Sequence, residues 1–189
     1  YLSSKYEIKN IILNIEKLLD TKIQHKKYDV NKIDSNYFDE AKRLLPGKNY
    51  IGFAITQGNK YRKKSWPLEK FINVAKEITK KNKTPVFFIE KENIELIDKI
   101  KNELNNALFP ELETTLSGPP LVSALSTRLE KAISIDNGIM HMMGLANIPM
   151  IVLFGPTSSK KFAPKINKID ILDSNLIYNS SDISKISEN

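Results

Sequence analysis

The sequence predicts an α/β fold in which helices cover both faces of a parallel, Rossmann-like sheet. From residue 50 onwards, short runs of apolar, β-prone residues alternate with helical patterns of about a dozen residues. Such an alternation builds parallel strands, because each helix returns the chain to the edge at which the next strand starts. Several of these β runs end on polar turn residues, so candidate binding groups are expected at one edge of the sheet.

Two helices are predicted ahead of the sheet. Isoleucine and leucine recur at helical spacing between charged residues over residues 6–20, which is typical of an amphipathic helix. Residues 21–32 are polar and basic without a clear period and are interpreted as a connector. A second helix is predicted over residues 36–45, with Asp34 or Ser35 as its N-terminal cap.

We divide the chain into two parts on this basis. Residues 1–48 are predicted to be a helical arm or linker, either a remnant of an N-terminal domain or a connection to one. Residues 49–189 are predicted to form the Rossmann-like domain. Because the sequence begins at Tyr1 rather than at methionine, we expect a piece of a longer protein or a processed chain.

The second part contains five β runs separated by helical patterns. The β runs are residues 50–55, 85–89, 133–135, 149–154 and 168–172. Helices are expected from Pro67 through Ile78 and over residues 92–104, 121–129 and 139–146, with Ile94, Ile97 and Ile100 facing inward in the second of them. Residues 107–116 indicate at most a short strand interrupted by Pro110, and a polar tail is expected after the last β run.

Residues 133–157 combine a strand, a polar turn, a short helix and a second strand. The turn is Asp136-Asn137-Gly138, and Asn147 suits the left-handed conformation that often closes a helix. Such a unit places a carboxylate and free backbone N–H groups at the carboxyl edge of a parallel sheet, where open α/β folds bind ligands. Asp136 is expected to cap the helix, to accept hydrogen bonds from sugar hydroxyls, or to do both.

The loop at residues 56–67 brings hydroxyl, amide and lysine groups to the end of the first strand. Lys64 is placed to meet an anion held by the following helix N-terminus, although an exposed basic loop is the alternative interpretation. His141 lies about one turn into the later helix, where a structural and a functional role both stay open. The chain contains neither GxxxxGK[ST] nor GxGxxG, so a nucleotide would be bound by other means.

The composition excludes several kinds of site. The absence of cysteine excludes disulfides and thiolate metal sites, and His25 and His141 alone make a histidine-built zinc site implausible. No apolar run approaches the roughly 18 residues needed to cross a bilayer, and the start of the sequence lacks the apolar core of a signal peptide. We therefore expect a cytoplasmic protein.

The net charge of +7 raises the question of nucleic-acid binding. Only Arg43, Arg62 and Arg128 of the basic residues are arginines, and the lysines are spread along the chain. A protein that reads bases more often uses arginine, so most of this charge is interpreted as solvated surface. A mild attraction to anionic ligands or membrane surfaces fits the same composition.

Four segments in order resemble a known family over most of the second part. They are residues 64–67 (KSWP), 86–92 (VFFIEKE), 116–118 (LSG) and 136–141 (DNGIMH), the last continued by 144–149 and 153–157. Together they are similar to the C-terminal half of the heptosyltransferases, family nine of the glycosyltransferases. In that family two Rossmann-like domains face each other in the GT-B arrangement, and the C-terminal one holds the nucleotide-sugar donor.

The resemblance implies a role for each candidate residue. Lys64 and one of Thr56 or Gln57 would contact the donor's diphosphate, and Lys64 would stabilise it as it leaves. Glu92 would bind the ribose or the base of the nucleoside, and Asp136 would bind the sugar. The phosphate end of the pocket would be completed by Asn137, Gly138 and His141. The catalytic base would come from the N-terminal domain, of which we expect this sequence to contain at most the helices before residue 50. No metal or cofactor is implied.

The reaction implied is a metal-independent, inverting transfer from ADP-heptose or a similar nucleotide sugar to a cell-surface glycan such as the lipopolysaccharide core. The partners implied are the donor, a glycan or glycolipid acceptor and the inner face of the membrane as a peripheral contact, without specific nucleic acid. Two alternatives stay open. One is a transferase that uses another nucleotide sugar, and the other is a non-catalytic Rossmann-like module that binds nucleic acid through its lysines.

Overall fold

The computed structural model of the chain describes residues 7–24, 29–58 and 60–188. Four parts of the sequence predictions lie outside these residues: Tyr6 at the start of the first helix, residues 25–28 of the connector with His25, Asn59 of the basic loop, and Asn189. The strands are β1 (Tyr50–Ala54), β2 (Thr84–Phe87), β3 (Lys131–Ile135), β4 (Met150–Phe154) and β5 (Ile169–Asp173). All five pair in parallel, which confirms the predicted fold class.

Eight α-helices accompany the strands in the described part of the chain. They are α1 (Glu7–Leu19), α2 (Ser35–Leu44), α3 (Leu68–Lys80), α4 (Ile94–Glu103), α5 (Pro119–Ser126), α6 (Gly138–Leu145), α7 (Ser159–Phe162) and α8 (Ser174–Tyr178). Short 3-10 turns occupy Val30–Lys32, Lys60–Arg62, Pro110–Glu113 and Ile183–Lys185. Each predicted β run became a strand, and each predicted helix was found within a few residues of its expected bounds.

The order of the strands defines one place in the sheet at which a ligand is expected. The order is β2-β1-β3-β4-β5, so the chain builds outward from β1 to β2 and then returns to add β3 on the other side. The crossovers leave β1 and β3 in opposite directions, which opens a crevice at the carboxyl ends of these two strands. The loop at residues 56–67 follows β1, and Asp136 follows β3, so both predicted site segments lie at this crevice.

The sheet is covered on both faces because alternate strand residues point to opposite sides. On one face Phe53 stacks on Phe87 with ring centroids 4.8 Å apart, and Phe71 of α3 meets Phe53 edge-on. On the other face Ala54 belongs to a core that also contains the buried residues of α5 and α6. Burial of these aromatic and aliphatic side chains is the main stabilisation of the fold.

The two helices before the sheet differ in how they pack. α2 lies against α5, and its Ala41 together with Leu45 is fully buried in the core of the sheet domain. In α1, by contrast, none of residues 9–19 is buried, and Leu18 is 82% exposed. The division of the chain after residue 48 stays a prediction. α2 lies before this boundary but packs into the core of the domain that was predicted to start after it.

Three local predictions differ from the structure. Ile94 is 63% exposed rather than inward-facing, because α4 begins at this residue and the residues on both sides of it are exposed as well. Over residues 107–116 only Leu108 bridges to Val86, and a 3-10 turn follows. The expected polar tail contains α8 and a 3-10 turn, and it buries Ile183 and Ile186 against the core.

Gly52 in β1 is expected to be essential for close packing against Leu129, which follows α5, and against α6. A Cβ built on Gly52 would lie 2.6 Å from Leu129 Cδ1 and 3.4 Å from both Ala132 Cβ and Met143 Cε. The branched side chain in Gly52→Val should therefore lower the free energy of unfolding by about 3 kcal/mol. Urea unfolding measures this, with Gly58→Val as the control because nothing lies within 4 Å of a Cβ there. Equal losses in the two variants would contradict the expectation.

Candidate functional site

The crevice at the carboxyl ends of β1 and β3 contains an ion pair. Lys64 Nζ lies 2.5 Å from Asp136 Oδ2 and 3.4 Å from the Asp136 backbone oxygen. Both side chains are mostly buried, with 12% and 8% of their surfaces exposed. Water and salt screen a mostly buried pair less than an exposed one, so the contact ties the Lys64 loop to the end of β3.

Only one oxygen of the Asp136 carboxylate accepts hydrogen bonds from the described residues. Thr157, just after β4, donates its hydroxyl to Oδ2 at 2.6 Å, so Oδ2 accepts from both Lys64 and Thr157. Within the described residues, Oδ1 accepts no hydrogen bond. The free acceptor is the atom to which a hydroxyl of a ligand in the crevice can donate.

Thr157 is a site residue that the sequence analysis missed. It lies in residues 153–157, which carry part of the family resemblance but to which the sequence analysis assigned no site role. The signal was available, since a hydroxyl that directly follows a buried parallel strand lies at the same edge as the other strand ends. The contact to Asp136 across two strands could not be read from the sequence.

Asn137, and not Asp136, caps helix α6. Its Oδ1 accepts from the Met140 backbone N–H at 2.8 Å, so the capping role expected for Asp136 is wrong. The Asn137 amide also donates to the backbone oxygens of Ala54 and Thr56, at 3.2 and 2.9 Å. These bonds join the end of β1 to the start of α6 and leave the Asp136 carboxylate outside the helix.

The start of α6 opens toward the crevice. The first N–H groups of a helix have no partner within the helix and carry its positive dipole end. Gly138, the first residue of α6, is exposed, and a Cβ built on it meets no atom within 4 Å outside its chain neighbours and its own helix backbone, so the protein surface at this residue is open. An anion at this surface would lie near the helix start and near the Lys64 ammonium.

Thr56 and Gln57 hold the loop that carries Lys64. The Lys64 backbone N–H donates to Gln57 Oε1 at 2.8 Å, and the backbone oxygen of Thr56 accepts from Asn137. The structure therefore brings both residues to the crevice and gives them internal partners there. Their direct contact with a ligand stays a prediction.

His141 lies on α6 and shares the electrostatic environment of the ion pair. Its side chain retains an exposed surface, but desolvation by the surrounding protein lowers the pKa of the imidazole below its usual value. The charge of Asp136 opposes this lowering, and the charge of Lys64 adds to it. His141 is therefore placed close enough to sense whether Lys64 is in the crevice.

Glu92 is at the same edge of the sheet but one strand away. It is exposed in the turn after β2, and β2 pairs with β1 on the side opposite to β3. Glu111 on the neighbouring 3-10 turn is less exposed. Burial, followed by repulsion from Glu90, raises the pKa of Glu111 to about 7. The charge of Lys91 lowers this pKa, and the charge of Glu92 raises it further.

This raised pKa makes the stability of the protein depend on pH. A carboxyl whose pKa rises on folding stabilises the folded state below its ordinary pKa of about 4.3 and loses this effect as pH rises through 7. Glu111→Gln should therefore raise the free energy of unfolding by about 1 kcal/mol at pH 8 and leave it unchanged at pH 4. Urea unfolding at the two pH values measures this, and Glu113→Gln on the same turn is the control. An equal effect at both values would contradict the assignment.

No group of three His, Cys, Asp or Glu side chains is placed to hold a metal ion within the described residues, and none of their helices has the length and hydropathy of a membrane span. A groove of about 830 Å³ lies between the C-terminal ends of α3 and α4, at the amino edge of the sheet. It contains none of the residues predicted for the site.

The fold resembles solved glycosyltransferase structures. A glycosyltransferase family 9 structure from Veillonella parvula DSM 2008 matches with a TM-score of 0.78 and 20% identity, over 98% of this chain and 57% of the other. E. coli heptosyltransferase WaaC with ADP matches with a TM-score of 0.69 and 12% identity, over 100% and 56%. E. coli ADP-heptose LPS heptosyltransferase II matches with a TM-score of 0.64 and 18% identity, over 83% and 49%. The chain thus spans about half the length of these structures.

The sequence was also compared with families and with curated proteins. No curated protein sequence matches it. The model of glycosyltransferase family 9 (heptosyltransferase) matches residues 10–188, which is nearly the whole chain. This match confirms the resemblance carried by the four sequence segments, and the chain belongs to glycosyltransferase family 9, the heptosyltransferase family.

Proposed function

We propose that the chain is the donor-binding half of a heptosyltransferase-type glycosyltransferase. Its donor is ADP-heptose or a similar nucleotide sugar, and the reaction is a metal-independent, inverting transfer to a cell-surface glycan such as the lipopolysaccharide core. The observation that carries this proposal is the Lys64–Asp136 pair beside the open start of α6. Cation, helix N-terminus and carboxylate together match a diphosphate joined to a polyhydroxylated sugar.

Lys64 and the start of α6 are assigned to the diphosphate. Negative charge develops on the leaving nucleoside diphosphate during transfer, and a preorganised ammonium and helix N–H groups stabilise that charge. Lys64 does not need to move far, since the Asp136 pair already holds it in the crevice. Binding of the diphosphate would replace part of the contact between Lys64 and Oδ2. Gly138 would contribute its backbone N–H, and His141 a second polar group at the same end.

Asp136 is assigned to the sugar. Its Oδ1 has no partner among the described residues, while Oδ2 is held by Thr157 and Lys64, so the carboxylate is oriented before the donor arrives. Each sugar hydroxyl that donates to an ionised acceptor contributes about 1.5–3 kcal/mol. Glu92, at the end of β2, is assigned to the nucleoside, and Thr56 and Gln57 to the diphosphate and its loop.

Relatives of the same fold support the choice of donor. The E. coli heptosyltransferase WaaC has been solved with ADP and with ADP-2-deoxy-2-fluoro heptose. We extend this donor to the present chain through the shared family and the matching site chemistry. The catalytic base that deprotonates the acceptor hydroxyl would come from the other domain of a two-domain enzyme. The cytoplasmic location and the peripheral contact with the inner membrane face stay predictions.

Calorimetry with a panel of nucleoside diphosphates tests the proposal. We expect ADP and ADP-sugars to bind the chain, and binding to weaken in Lys64→Met. A preference for UDP or GDP with the same dependence on Lys64 would indicate a transferase that uses another donor. If no nucleotide binds, but DNA or RNA binds with an affinity that falls steeply with salt, the nucleic-acid alternative is correct and the proposal is wrong.

A further inference from the structure

Residues 181–188, which we call the strap, cross the two loops that hold the Asp136 carboxylate. We propose that the strap positions Lys64 for the donor's diphosphate, with Trp66 and Lys70 as the positioning residues. The inference rests on the proposed function, since it assigns a role in that same site. It is carried by three sets of contacts between the strap and the loops at the crevice.

The first set of contacts fixes the strap to the loop of Lys64. Trp66, two residues after Lys64, is 4% exposed and donates its indole N–H to the Ile186 backbone oxygen at 3.0 Å. Lys70 donates to the same oxygen at 2.7 Å and to the Ser184 oxygen at 2.9 Å. The Trp66 hydrogen bond is buried, so it fixes one register of the segment, because a shift would leave the indole N–H unpaired.

The second set holds the strap in place by packing. Ile183 and Ile186 are 3% and 2% exposed and belong to the core that contains Trp66 and Phe71. The Lys70 ammonium also lies 5.7 Å from the centre of the Trp66 ring and 3.6 Å from a Glu188 oxygen. Apolar and charged contacts thus reinforce the same register.

The third set joins the strap to the loop of Thr157. Gly155, two residues before Thr157, is so close to the strap that an added Cβ would lie 2.8 Å from both Ile183 Cβ and the Ser181 oxygen. The strap therefore abuts both loops whose side chains donate to Asp136 Oδ2. A loosened strap would release the backbone beside Lys64 and beside Thr157 together. Because Lys64 is held by a loop and not by a strand, its position depends on such external contacts.

The test combines two substitutions that remove the polar contacts while keeping an aromatic ring at Trp66 and an apolar stem at Lys70. Trp66→Phe keeps an aromatic ring but lacks the N–H, and Lys70→Met keeps the apolar stem but lacks the ammonium. Lys76→Met is the matched control, because Lys76 lies on the same helix and pairs with Glu103 away from the strap. Each variant is compared with wild type and with Lys64→Met.

Two measurements separate positioning from general stability. The first is the pKa of His141 in the ligand-free chain, followed by NMR, which we expect to rise when the Lys64 ammonium moves away from the crevice. The second is the ratio of affinities for ADP and adenosine, because only ADP carries the diphosphate. We expect the Trp66→Phe/Lys70→Met chain to raise the His141 pKa towards its value in Lys64→Met. We also expect ADP affinity to fall about tenfold and adenosine affinity to stay the same.

The proposal is wrong if a folded Trp66→Phe/Lys70→Met chain keeps the wild-type pKa of His141 or the wild-type ratio of affinities for ADP and adenosine. A lower melting temperature of this chain would not change that conclusion. If that chain does not fold, Lys70→Met alone is measured in the same way, and Lys70→Arg must restore the wild-type values. Failure of wild type to bind ADP would refute the proposed function separately. The His141 measurement then decides alone whether the strap positions Lys64.

Discussion

Replacing Lys64 by methionine is expected to abolish most of the affinity for ADP. A hydrogen bond to a charged group contributes about 1.5–3 kcal/mol, and the diphosphate would lose its cationic contact in the crevice. We expect Lys64→Met to weaken ADP binding by about 30-fold or more, which corresponds to about 2 kcal/mol. Calorimetry measures the affinity. Lys76→Met removes an exposed lysine and should leave it unchanged.

Lys64→Met also leaves the buried Asp136 carboxylate without its counter-charge, so a loss of stability must be separated from a loss of binding. The double variant Lys64→Met/Asp136→Asn removes both charges and should recover most of the stability lost in the single variant. Removal of the negative charge beside the diphosphate should recover the affinity for ADP only in part, so the double variant should still bind ADP clearly more weakly than wild type. If the double variant binds ADP as wild type does, Lys64 is a structural residue and not a phosphate ligand.

Asp136→Asn is expected to act in opposite directions on ADP and on the intact donor. The substitution removes a negative charge beside the diphosphate and frees Lys64 from the pair, so ADP should bind about three- to tenfold more tightly. The additional affinity that an ADP-sugar gains from its sugar should disappear, because Oδ1 no longer offers an ionised acceptor.

Calorimetry with ADP and with ADP-heptose gives both quantities from one protein preparation. The control is Asp98→Asn, which changes an exposed carboxylate on α4 and should alter neither affinity. Weaker ADP binding in Asp136→Asn would show that the carboxylate serves mainly to hold Lys64. If the sugar adds as much affinity in Asp136→Asn as in wild type, Asp136 does not contact the sugar. Either result would contradict the role assigned to Asp136.

The elements of the fold were predictable where the physical signal is local. The strands at Tyr50–Ala54 and Met150–Phe154 are continuous apolar runs, which a strand buried on both faces requires. Asn147 has the left-handed conformation predicted for the end of α6, with φ of 53°. Ile94 and the tail were mispredicted because burial at the end of an element depends on what packs against it. The burial of Ile183 and Ile186 depends on Trp66, more than a hundred positions away.

The site was predictable in position but not in connectivity. Lys64 and Asp136 were each placed at a strand end from the sequence, and the structure pairs them across 72 positions. Thr157 was missed and the cap was assigned to Asp136, because competing hydrogen-bond partners are chosen by three-dimensional geometry. A sequence shows which groups are available at an edge, whereas the partner of each group follows from the strand order.

A crystal structure of the chain with ADP-heptose tests the central claim most directly. We expect the diphosphate within hydrogen-bond distance of Lys64 Nζ and of the first N–H groups of α6, with a sugar hydroxyl on Asp136 Oδ1. Nucleotide density elsewhere, for example in the groove between the ends of α3 and α4, with Lys64 still paired to Asp136 in an empty crevice, would contradict it.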